Sequence, residues 1–459
     1  MQKGKLFGKI LILFATAIIL QCSGVFARFG GGGGSSHGSS HSSGSGGGGI
    51  SVPMSPGMIV IIIIVLVLYY LFKGKLPSGN DNNNNVNSQS LPTSSSAQFP
   101  EGLTPDKVRT AFLELQDAWQ QQDLSKVRKW MSDGMYQRLT AQFAMMKKLS
   151  QRNRLSNIRI ENIYVANVTD DGAYKAADVA ISFSMDDQFI SDKYPSINES
   201  FVGDTDTEYW TFIKRADAKA GNTNMYSSEN CPNCGASLEN KLGEVSRCSS
   251  CGTLTNNAAY DWILSEVTQN DDYSGNNHLL RDAKLHDLTK NDPLFSIQRV
   301  EDVASNVFMQ IMEVLTGDNN KKLNRFADKA VAEKILQQKT AAGSFVFDRL
   351  YLNDVTLVNY TTENDKLNLI FSLGATYQRV QAGAKLSFLD YDMNLHKFRI
   401  VLSKDLAALN KPQKEVAFSY ECSSCGAPYN DTTNDTCTYC DAPVIDTARN
   451  WVLTDFAAV

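Results

Sequence analysis

The chain has 459 residues, of which 42 % are hydrophobic, 10 % aromatic and 20 % charged. This length allows about two to four domains, and the composition supplies enough apolar residues for each to have a core. Residues 1–75 contain six Lys or Arg and no acidic residue, so residues 76–459 hold 38 basic against 49 acidic residues, a net charge of −11. Because so acidic a body repels phosphate backbones, the charge argues against nucleic acid as a partner.

The first 27 residues have the pattern of a signal peptide. Three lysines among the first nine residues give a basic start, residues 10–20 are a largely apolar run, and Val25-Phe26-Ala27 has the small-x-small pattern of a cleavage site. Residues 30–49 contain only Gly, Ser and His. With no apolar side chain to bury there, the segment 28–49 is predicted to be disordered.

Residues 50–72 are predicted to form a transmembrane helix. Residues 58–72 are uninterrupted apolar sequence, and the apolar residues just before them bring the length to about twenty, enough to span a bilayer core. Lys73 and Lys75 follow directly, so the positive-inside rule places everything after residue 75 in the cytoplasm. Residues 73–100, rich in Asn and Ser, are predicted to be a flexible linker with a mean reach of about 25–30 Å.

The rest of the chain contains two copies of one plan, residues 101–267 and 293–459, joined by a connector over 268–292. Each copy opens with helices, continues with strand-like alternation, and then has two Cys-x-x-Cys pairs before a final strand. In both copies a Trp lies eleven residues after the last cysteine, in the similar sequences Asp261-Trp-Ile-Leu-Ser-Glu266 and Asn450-Trp-Val-Leu-Thr-Asp455. Helices followed by an antiparallel sheet predict an α+β fold with two tandem domains.

The first helix of the first copy is predicted to begin at Thr104-Pro105, which combines a capping hydroxyl with Pro at the first helical position. The helices of this copy contain large apolar side chains at helical spacing. These side chains could form the walls of a ligand pocket or, as is commoner, simply fill the core: Trp119, Trp130, Met145 and Met146.

Eight of the nine cysteines form two groups of four. The first group spans residues 231–251 with the spacing Cys-x2-Cys-x13-Cys-x2-Cys, and the second spans 422–440 with an x11 centre. Four thiolates suit tetrahedral zinc, so the sequence predicts two structural zinc ions in two zinc ribbons. The predicted ligands are Cys231, Cys234, Cys248 and Cys251 in the first ribbon, and Cys422, Cys425, Cys437 and Cys440 in the second.

Three alternatives to structural zinc are considered for these cysteines: disulfides, a redox pair and a catalytic zinc. Disulfides would require an oxidising compartment, whereas the positive-inside rule places the body in the cytoplasm. A thioredoxin-like redox pair would follow a strand in a βαβ unit, and no such unit is visible. A catalytic zinc would keep an open position with His or water. Structural zinc is favoured over all three, and a cysteine-based redox or zinc sensor is kept as an alternative.

No set of residues for catalysis is visible in the sequence. The body holds three histidines, of which His396 lies in an alternating segment and is expected to point to solvent. Three acidic pairs are expected to lie in solvated turns: Asp170-Asp171, Asp186-Asp187 and Asp271-Asp272. We therefore predict that the protein is not an enzyme.

Four segments of the first copy carry a resemblance to a known family. They are Leu115-Gln-Asp-Ala-Trp119, Asp123-Leu-Ser-Lys-Val-Arg-Lys-Trp130-Met-Ser-Asp-Gly-Met-Tyr136-Gln-Arg-Leu-Thr-Ala-Gln-Phe143, Asn153-Arg-Leu-Ser-Asn157 and Trp210-Thr-Phe-Ile213. With these segments the chain resembles the Tim44-like family, which shares the C-terminal domain of the mitochondrial import-motor subunit and includes bacterial membrane-anchored relatives. The resemblance implies a cone-shaped fold of the nuclear-transport-factor-two type, with membrane, lipid and scaffolding roles. The second copy is similar in outline.

These observations lead to one hypothesis and two alternatives. We expect a protein of a bacterial-type inner (plasma) membrane whose two cone domains, each with a zinc ribbon, form a scaffold at the cytoplasmic face and bind a protein segment or lipid. The first alternative is an enzyme that uses the cone cavity for a small molecule, which would require a buried Asp, His or Tyr facing that cavity. The second is the redox or zinc sensor.

Overall fold

The computed structural model describes most of the body that follows the predicted linker. Among the described residues, no helix is both long enough and apolar enough to cross a bilayer. The predicted transmembrane helix 50–72 lies outside the described residues, as do nearly all of the signal peptide, residues 35–97 and most of the connector. The described ranges are 25–28, 31–34, 98–218, 224–238, 242–275, 285, 287–288, 295–409, 422, 424–427, 434, 436–448 and 450–459.

A short antiparallel hairpin precedes the body, with strands β1 (Val25–Arg28) and β2 (Gly31–Gly34). It spans the boundary between the predicted signal peptide and the predicted disordered segment. The sequence does not predict pairing here, because consecutive glycines have low strand propensity.

Helices α1 (Pro105–Gln121) and α2 (Asp133–Lys148) open the first half. Helix α1 begins where it is predicted to, because the Thr104 hydroxyl accepts the Lys107 N–H at 3.2 Å. It ends at Gln122, whose backbone is left-handed with φ 52°. Helix α2 is capped in the same way by Ser132, whose hydroxyl accepts the Met135 N–H at 3.1 Å.

Four antiparallel strands follow in sequence order across one sheet. They are longer than the alternating segments of the sequence indicate, and the helices pack their apolar faces on them. The centre of this core is aromatic: the Phe112 ring lies 4.9 Å from that of Phe183 and 5.5 Å from that of Trp210. The strands are β3 (Gln151–Asp171), β4 (Tyr174–Ser191), β5 (Glu199–Arg215) and β6 (Ile263–Gln269).

The second half repeats this order of elements. Two helices precede a second antiparallel sheet, in which strand order follows the sequence and a short strand β9 extends the pairing along β8. The elements are α3 (Ile297–Thr316), α4 (Lys329–Ala342), β7 (Val346–Glu363), β8 (Lys366–Ala382), β9 (Leu386–Phe388), β10 (Asn394–Asp405) and β11 (Val452–Ala458).

One backbone contact recurs at the same place in both halves. The N–H of Ser132, the capping residue of α2, donates to the Leu264 carbonyl at 2.9 Å, and that of Asp328, the capping residue of α4, donates to the Leu453 carbonyl at 3.0 Å. Each acceptor lies two residues after the tryptophan that the sequence places eleven residues beyond the last cysteine. The last strand of each half is therefore tied to its second helix in the same way.

The two halves pack closely through α2 and α3. Gly134 lies so near α3 that a Cβ atom there would be 2.5 Å from the Asp302 carbonyl oxygen. Asp302 also accepts the Ser132 hydroxyl at 2.5 Å, and burial raises the pKa of this carboxyl to about 6. Nearby, Arg138 is buried and donates to the Leu352 carbonyl of the second half at 2.6 Å.

The expectation that three acidic pairs are solvated is wrong for one member of each pair. Asp171 is buried and accepts hydrogen bonds at the start of α3, from the Ile297 N–H at 2.8 Å among others. Asp187 is buried and accepts from Asn153 at 2.8 Å, and half-buried Asp272 accepts from Asn353 at 3.0 Å. Asp171 and Asp272 are covered by the other half of the chain, which a local sequence pattern does not reveal.

His396 is not directed to solvent as expected. It lies on β10, where its ring stacks on that of Tyr377 with centroids 4.1 Å apart and an interplanar angle of 8°. The histidine is half-buried, and burial lowers the pKa of its imidazole.

Candidate metal centres

The cysteines of the first group converge on one point. The Cys231 and Cys251 sulfurs are 3.7 Å apart, those of Cys234 and Cys248 are 3.8 Å apart, and all four lie within 4.8 Å of one another. The first cysteine of each pair is buried, whereas the second is exposed. The site therefore lies just below the surface of the ribbon.

The second group has the same arrangement. The Cys422 and Cys440 sulfurs are 3.6 Å apart, and those of Cys425 and Cys437 are 3.8 Å apart. All four are again within 4.8 Å of one another, so the structure brings together all eight cysteines that the sequence predicts as ligands.

These sulfur separations are longer than a disulfide bond and match a four-thiolate metal site. In a disulfide the sulfurs are about 2.05 Å apart, and the eight described cysteines form no disulfide in the structure. Zinc–thiolate bonds of about 2.3 Å in a tetrahedron place neighbouring sulfurs about 3.8 Å apart. Both groups could thus hold a metal ion, and their spacing fits a closed four-thiolate site.

Each Cys-x-x-Cys pair is shaped by a tight backbone turn. The residue after the second cysteine donates its N–H to the carbonyl of the first, at 2.7–2.9 Å in all four pairs. Three of these residues are glycines with φ of 72–75°, and the fourth is Asp441 with φ 55°. Asp441 therefore adopts the left-handed backbone that glycine adopts more readily, and the last turn keeps its geometry at a small conformational cost.

The buried side chain of Arg128 joins the first ribbon to the helices of the first half by hydrogen bonds. Arg128 has no exposed surface, and its guanidinium donates to the ribbon carbonyls of Gly243 at 3.0 Å and Glu244 at 2.8 Å. The same group donates to the Met131 carbonyl at 2.7 Å and pairs with the Asp133 carboxylate at the start of α2. One side chain therefore satisfies carbonyls of the ribbon and of the main fold together.

Sequence patterns alone do not predict the role of Arg128. The available signal is a charged pair, Arg128-Lys129, set directly before the apolar Trp130-Met131. Lys129 also reaches the ribbon segment, since its ammonium donates to the Ser228 carbonyl at 2.7 Å, and burial lowers its pKa. Tyr226 completes this contact by stacking on Trp130, with ring centroids 5.3 Å apart.

In the described residues, one backbone hydrogen bond and one cation–π contact join β10 to the segment that follows the second ribbon. The Asp405 N–H at the end of β10 donates to the Thr447 carbonyl at 2.8 Å. The ammonium of Lys404 lies 5.7 Å from the centroid of the Trp451 ring, just before β11. These contacts place the second ribbon between β10 and β11, as the first lies between β5 and β6.

Comparison with known families identifies part of this architecture. Residues 96–225 match the family model of the Tim44-like domain, a stretch that contains α1, α2 and β3–β5. This segment of the chain is similar to the Tim44-like domain. Such domains are associated with membranes and protein partners and are generally non-enzymatic. No curated protein and no solved structure matched the chain.

The match ends at residue 225, six residues before the first ribbon cysteine. Both ribbons and the second half therefore lie outside the matched Tim44-like segment. The contacts of Arg128 join a matched residue to the unmatched ribbon.

Three of the four candidate pocket walls lie around one small cavity at the edge of the Tim44-like domain. Trp119, Met145 and Met146 line a cavity of about 10 Å³, which is room for roughly one water molecule. Trp130 lies elsewhere, stacked on Tyr226. All four side chains are buried, which agrees with the expectation that they serve as core.

The enzyme alternative requires a buried acidic or phenolic group beside a cavity. Arg349 and Tyr351 also line the 10 Å³ cavity, and Asp348 adjoins them in the sequence. Burial raises the pKa of Asp348 and raises that of Tyr351 well above its usual value. The space beside them is too small for an organic substrate, so these groups do not support the enzyme alternative.

Proposed function

We propose that this protein is a membrane-anchored, zinc-containing, non-enzymatic scaffold that holds a protein segment or a lipid at the cytoplasmic face of a bacterial-type inner membrane. The observation that carries the proposal is the Tim44-like domain at residues 96–225. The anchor would be residues 50–72, and Lys73 and Lys75 support the cytoplasmic orientation of the body.

Each four-cysteine group would hold one structural zinc ion. The tetrahedral sulfur spacing supports this assignment, together with the absence of histidine from both predicted ligand sets. Four thiolates leave no open coordination position, so the ion would stabilise rather than catalyse. It would close the long connection between the last two strands of each half, with folding free energy on the order of 10 kcal/mol per site.

The second half would be a second domain of the same cone-shaped type. Its order of elements supports this, and so does the shared contact from the capping residue of the second helix to the last strand. Two such domains packed through α2 and α3 would give the scaffold one continuous body with two sets of surfaces.

The proposal is tested with the full chain expressed in bacterial cells. We expect the protein to stay in the membrane fraction after alkaline extraction and to lose that association when residues 50–72 are deleted. Protease added to intact spheroplasts should leave the body intact, and protease added to inverted vesicles should digest it. A body digested in intact spheroplasts would contradict the orientation.

The scaffold role is tested by complementation in the host. A chain that keeps the anchor and linker but lacks residues 101–459 should behave as a complete deletion and lose the crosslinked partners of the wild type. Full recovery of the wild-type phenotype by that truncated chain would contradict the proposal.

A further inference from the structure

A small cavity between the two halves is lined by acidic side chains. Its volume is about 40 Å³, which is room for about three water molecules. Among the described residues that line it, five are Asp or Glu and none is Lys, Arg or His. We name this space the acidic cavity. Its five acidic residues are Asp178, Glu266, Asp272, Glu301 and Asp354.

The five carboxyls come from both sides of the contact between the halves. Asp178 on β4, Glu266 on β6 and Asp272 just after β6 form one side. Glu301 on α3 and Asp354 on β7 form the other. Asp178 and Glu301 are buried, and the other three are half-buried. A change of charge on one side is therefore felt by carboxyls on the other.

Two hydrogen bonds from neutral groups cross this contact. Glu266 accepts from the amide of Gln298 on α3 at 3.1 Å, and Asp272 accepts from the amide of Asn353 on β7 at 3.0 Å. A carboxyl can accept such a bond whether it is ionised or protonated, because its second oxygen can carry the proton. These bonds therefore position the carboxyls without requiring that they be charged.

Burial opposes ionisation of these carboxyls. It raises the pKa of Glu266 to about 7 although the guanidinium of Arg138 faces that group, and it raises the pKa of Asp354 although the ammonium of Lys397 does so there. Burial also raises the pKa of Asp272. Five ionised carboxyls around one small space would repel one another, because like charges interact strongly where water is scarce.

Titratable and charged groups face Glu266 from the elements packed around it. They are Arg138 on α2, Asp178 on β4, Glu301 on α3, Asp354 on β7, and Asp272 and Tyr273 after β6, with Asp271 beside Asp272. Tyr209 on β5 stacks on Tyr273, and Arg138 also faces Asp302 on α3. Burial raises the pKa of Tyr273 and raises that of Tyr209 to about 12, so both phenols stay neutral near pH 7. The carboxyls are the groups that change charge there.

We propose that the acidic cavity is a proton-controlled latch between the two halves, closed while its carboxyls hold protons and opened by their ionisation. On ionisation the carboxyls of the two sides repel, so this edge of the contact separates and water enters. Gly134 at the crossing of α2 and α3, and Asp171 at the start of α3, do not line the acidic cavity and would keep the halves joined. The latch adds regulation to the proposed scaffold and does not depend on its membrane anchor.

The direction of the pH effect follows from the raised pKa of Glu266. The ordinary pKa of a glutamate is 4.5, and that of Glu266 in the closed latch is about 7, so the closed form binds the extra proton between these values. This contribution to closure is complete below about pH 4.5 and is lost as the pH rises through 7. Between pH 6 and pH 8, one such group lowers the ratio of closed to open latch by about tenfold.

The test measures amide hydrogen exchange of the full chain in detergent micelles at pH 6 and pH 8, as protection factors corrected for the intrinsic exchange rate. We expect protection of β6 and of residues 354–357 to fall by about tenfold at pH 8, while that of α1 stays constant. Glu266→Gln keeps an acceptor for Gln298 but cannot ionise, so it should reduce the fall to about twofold or less. The matched control Glu161→Gln removes an exposed glutamate of β3 and should behave as the wild type.

Equal protection of β6 in the wild type at both pH values would overturn the proposal, and this comparison needs no variant to fold. A fall in Glu266→Gln as large as in the wild type would also overturn it, since the acidic cavity would not be the source. A fall in α1 as large as that in β6 would show general unfolding and overturn the latch. None of these outcomes bears on the membrane anchor, because the chain is measured in micelles.

Discussion

The two halves follow one order of elements but make different use of it. In the first half, Tyr194 and Ile197 of the turn between β4 and β5 are buried in the core of the second half, and the ribbon is held by the buried guanidinium of Arg128. In the second half, Tyr391 of the segment between β9 and β10 is exposed, and the described contacts beside the ribbon are one backbone hydrogen bond to Thr447 and the Lys404 ammonium near the Trp451 ring. Equivalent elements of the two halves therefore differ in burial, because burial depends on which segments pack against them.

Removing metal should give the largest effect and should act on both halves. We expect about two zinc ions per full chain, with the eight ribbon thiols becoming reactive only after chelation. Because four-thiolate zinc contributes folding free energy on the order of 10 kcal/mol, Cys248→Ser and Cys437→Ser should each remove one ion and melt one ribbon. The measurements are metal content by mass spectrometry and thiol counting.

The two cysteine variants are matched controls for each other, since both residues are buried third ligands. Hydrogen exchange should then increase only in the ribbon that carries the substitution. Isolation of the native protein without zinc and with disulfides would contradict the ribbon assignment and favour the redox alternative.

Arg128→Met should be the next most severe change. It leaves the Gly243 and Glu244 carbonyls without their guanidinium donor and removes the charged partner of the Asp133 carboxylate, so the free energy of unfolding should fall by about 3–5 kcal/mol. The control is Arg399→Met, which removes an exposed pair with Asp455 and should cost less than about 1 kcal/mol. Denaturant unfolding measures the free energy of unfolding of both variants. Equal decreases would show that Arg128 does not hold the first ribbon in place.

Asp171 and Asp170 offer a test of the contact between the halves. Asp171→Ala removes the acceptor for the start of α3 and should lower the free energy of unfolding by about 2–3 kcal/mol. Asp170 is exposed, so Asp170→Ala should change it by less than about 0.5 kcal/mol. Thermal unfolding of the two variants decides whether adjacent carboxylates have such different roles.

The pH dependence of the free energy of unfolding tests the same contact between the two halves. Burial raises the pKa of Glu266 to about 7 and that of Asp302 to about 6 in the folded protein, above their ordinary values near 4. The folded state therefore binds more protons between about pH 4 and pH 7, so this contribution to stability is present at low pH and is lost as the pH rises through that window, by about 3 kcal/mol for each group. The charged groups facing these two carboxyls are Arg138, Arg299, Glu301, Asp133 and Asp178.

Glu266→Gln provides the control for the titration. It should flatten the loss of stability near pH 7 while leaving the loss near pH 6 from Asp302. The difference in stability between the wild type and the glutamine variant isolates the contribution of Glu266. If the stability of the wild type rises from pH 4 to pH 7 at least as steeply as that of the variant, the assigned direction is contradicted.

The smallest expected effect compares the hydroxyl groups of buried Tyr194 and exposed Tyr391. Tyr194→Phe removes one hydroxyl that donates to the Gly383 carbonyl and should lower the free energy of unfolding by about 1 kcal/mol. Tyr391→Phe removes a hydroxyl from an exposed ring and should change it by less than about 0.5 kcal/mol. Equal changes in the free energy of unfolding of the two variants, measured in denaturant, would contradict the assignment of Tyr194 as a buried hydrogen-bond donor and Tyr391 as exposed.

The two clusters of four cysteines could be predicted from the sequence because their information is local. Four cysteines in two Cys-x-x-Cys pairs can meet at one point whatever surrounds them, and all eight do converge. The helix start at Thr104 and the α+β order are likewise local, since capping and periodicity depend on neighbours a few residues away. The attachment of the first ribbon by Arg128 could not be predicted, because Arg128 binds residues more than a hundred positions later in the sequence.

Spacing and short patterns in the sequence were enough to predict the two cysteine clusters, the order of helices and strands, and the resemblance to a Tim44-like domain. Only the tertiary structure decided that Asp171 caps a helix of the other half, that His396 stacks on Tyr377, and that Tyr194 is buried while Tyr391 is exposed. The physical reason is that burial and partner choice arise when distant segments pack. Residues in similar local sequence therefore differ in burial and in hydrogen-bond partners when a distant segment packs against only one of them.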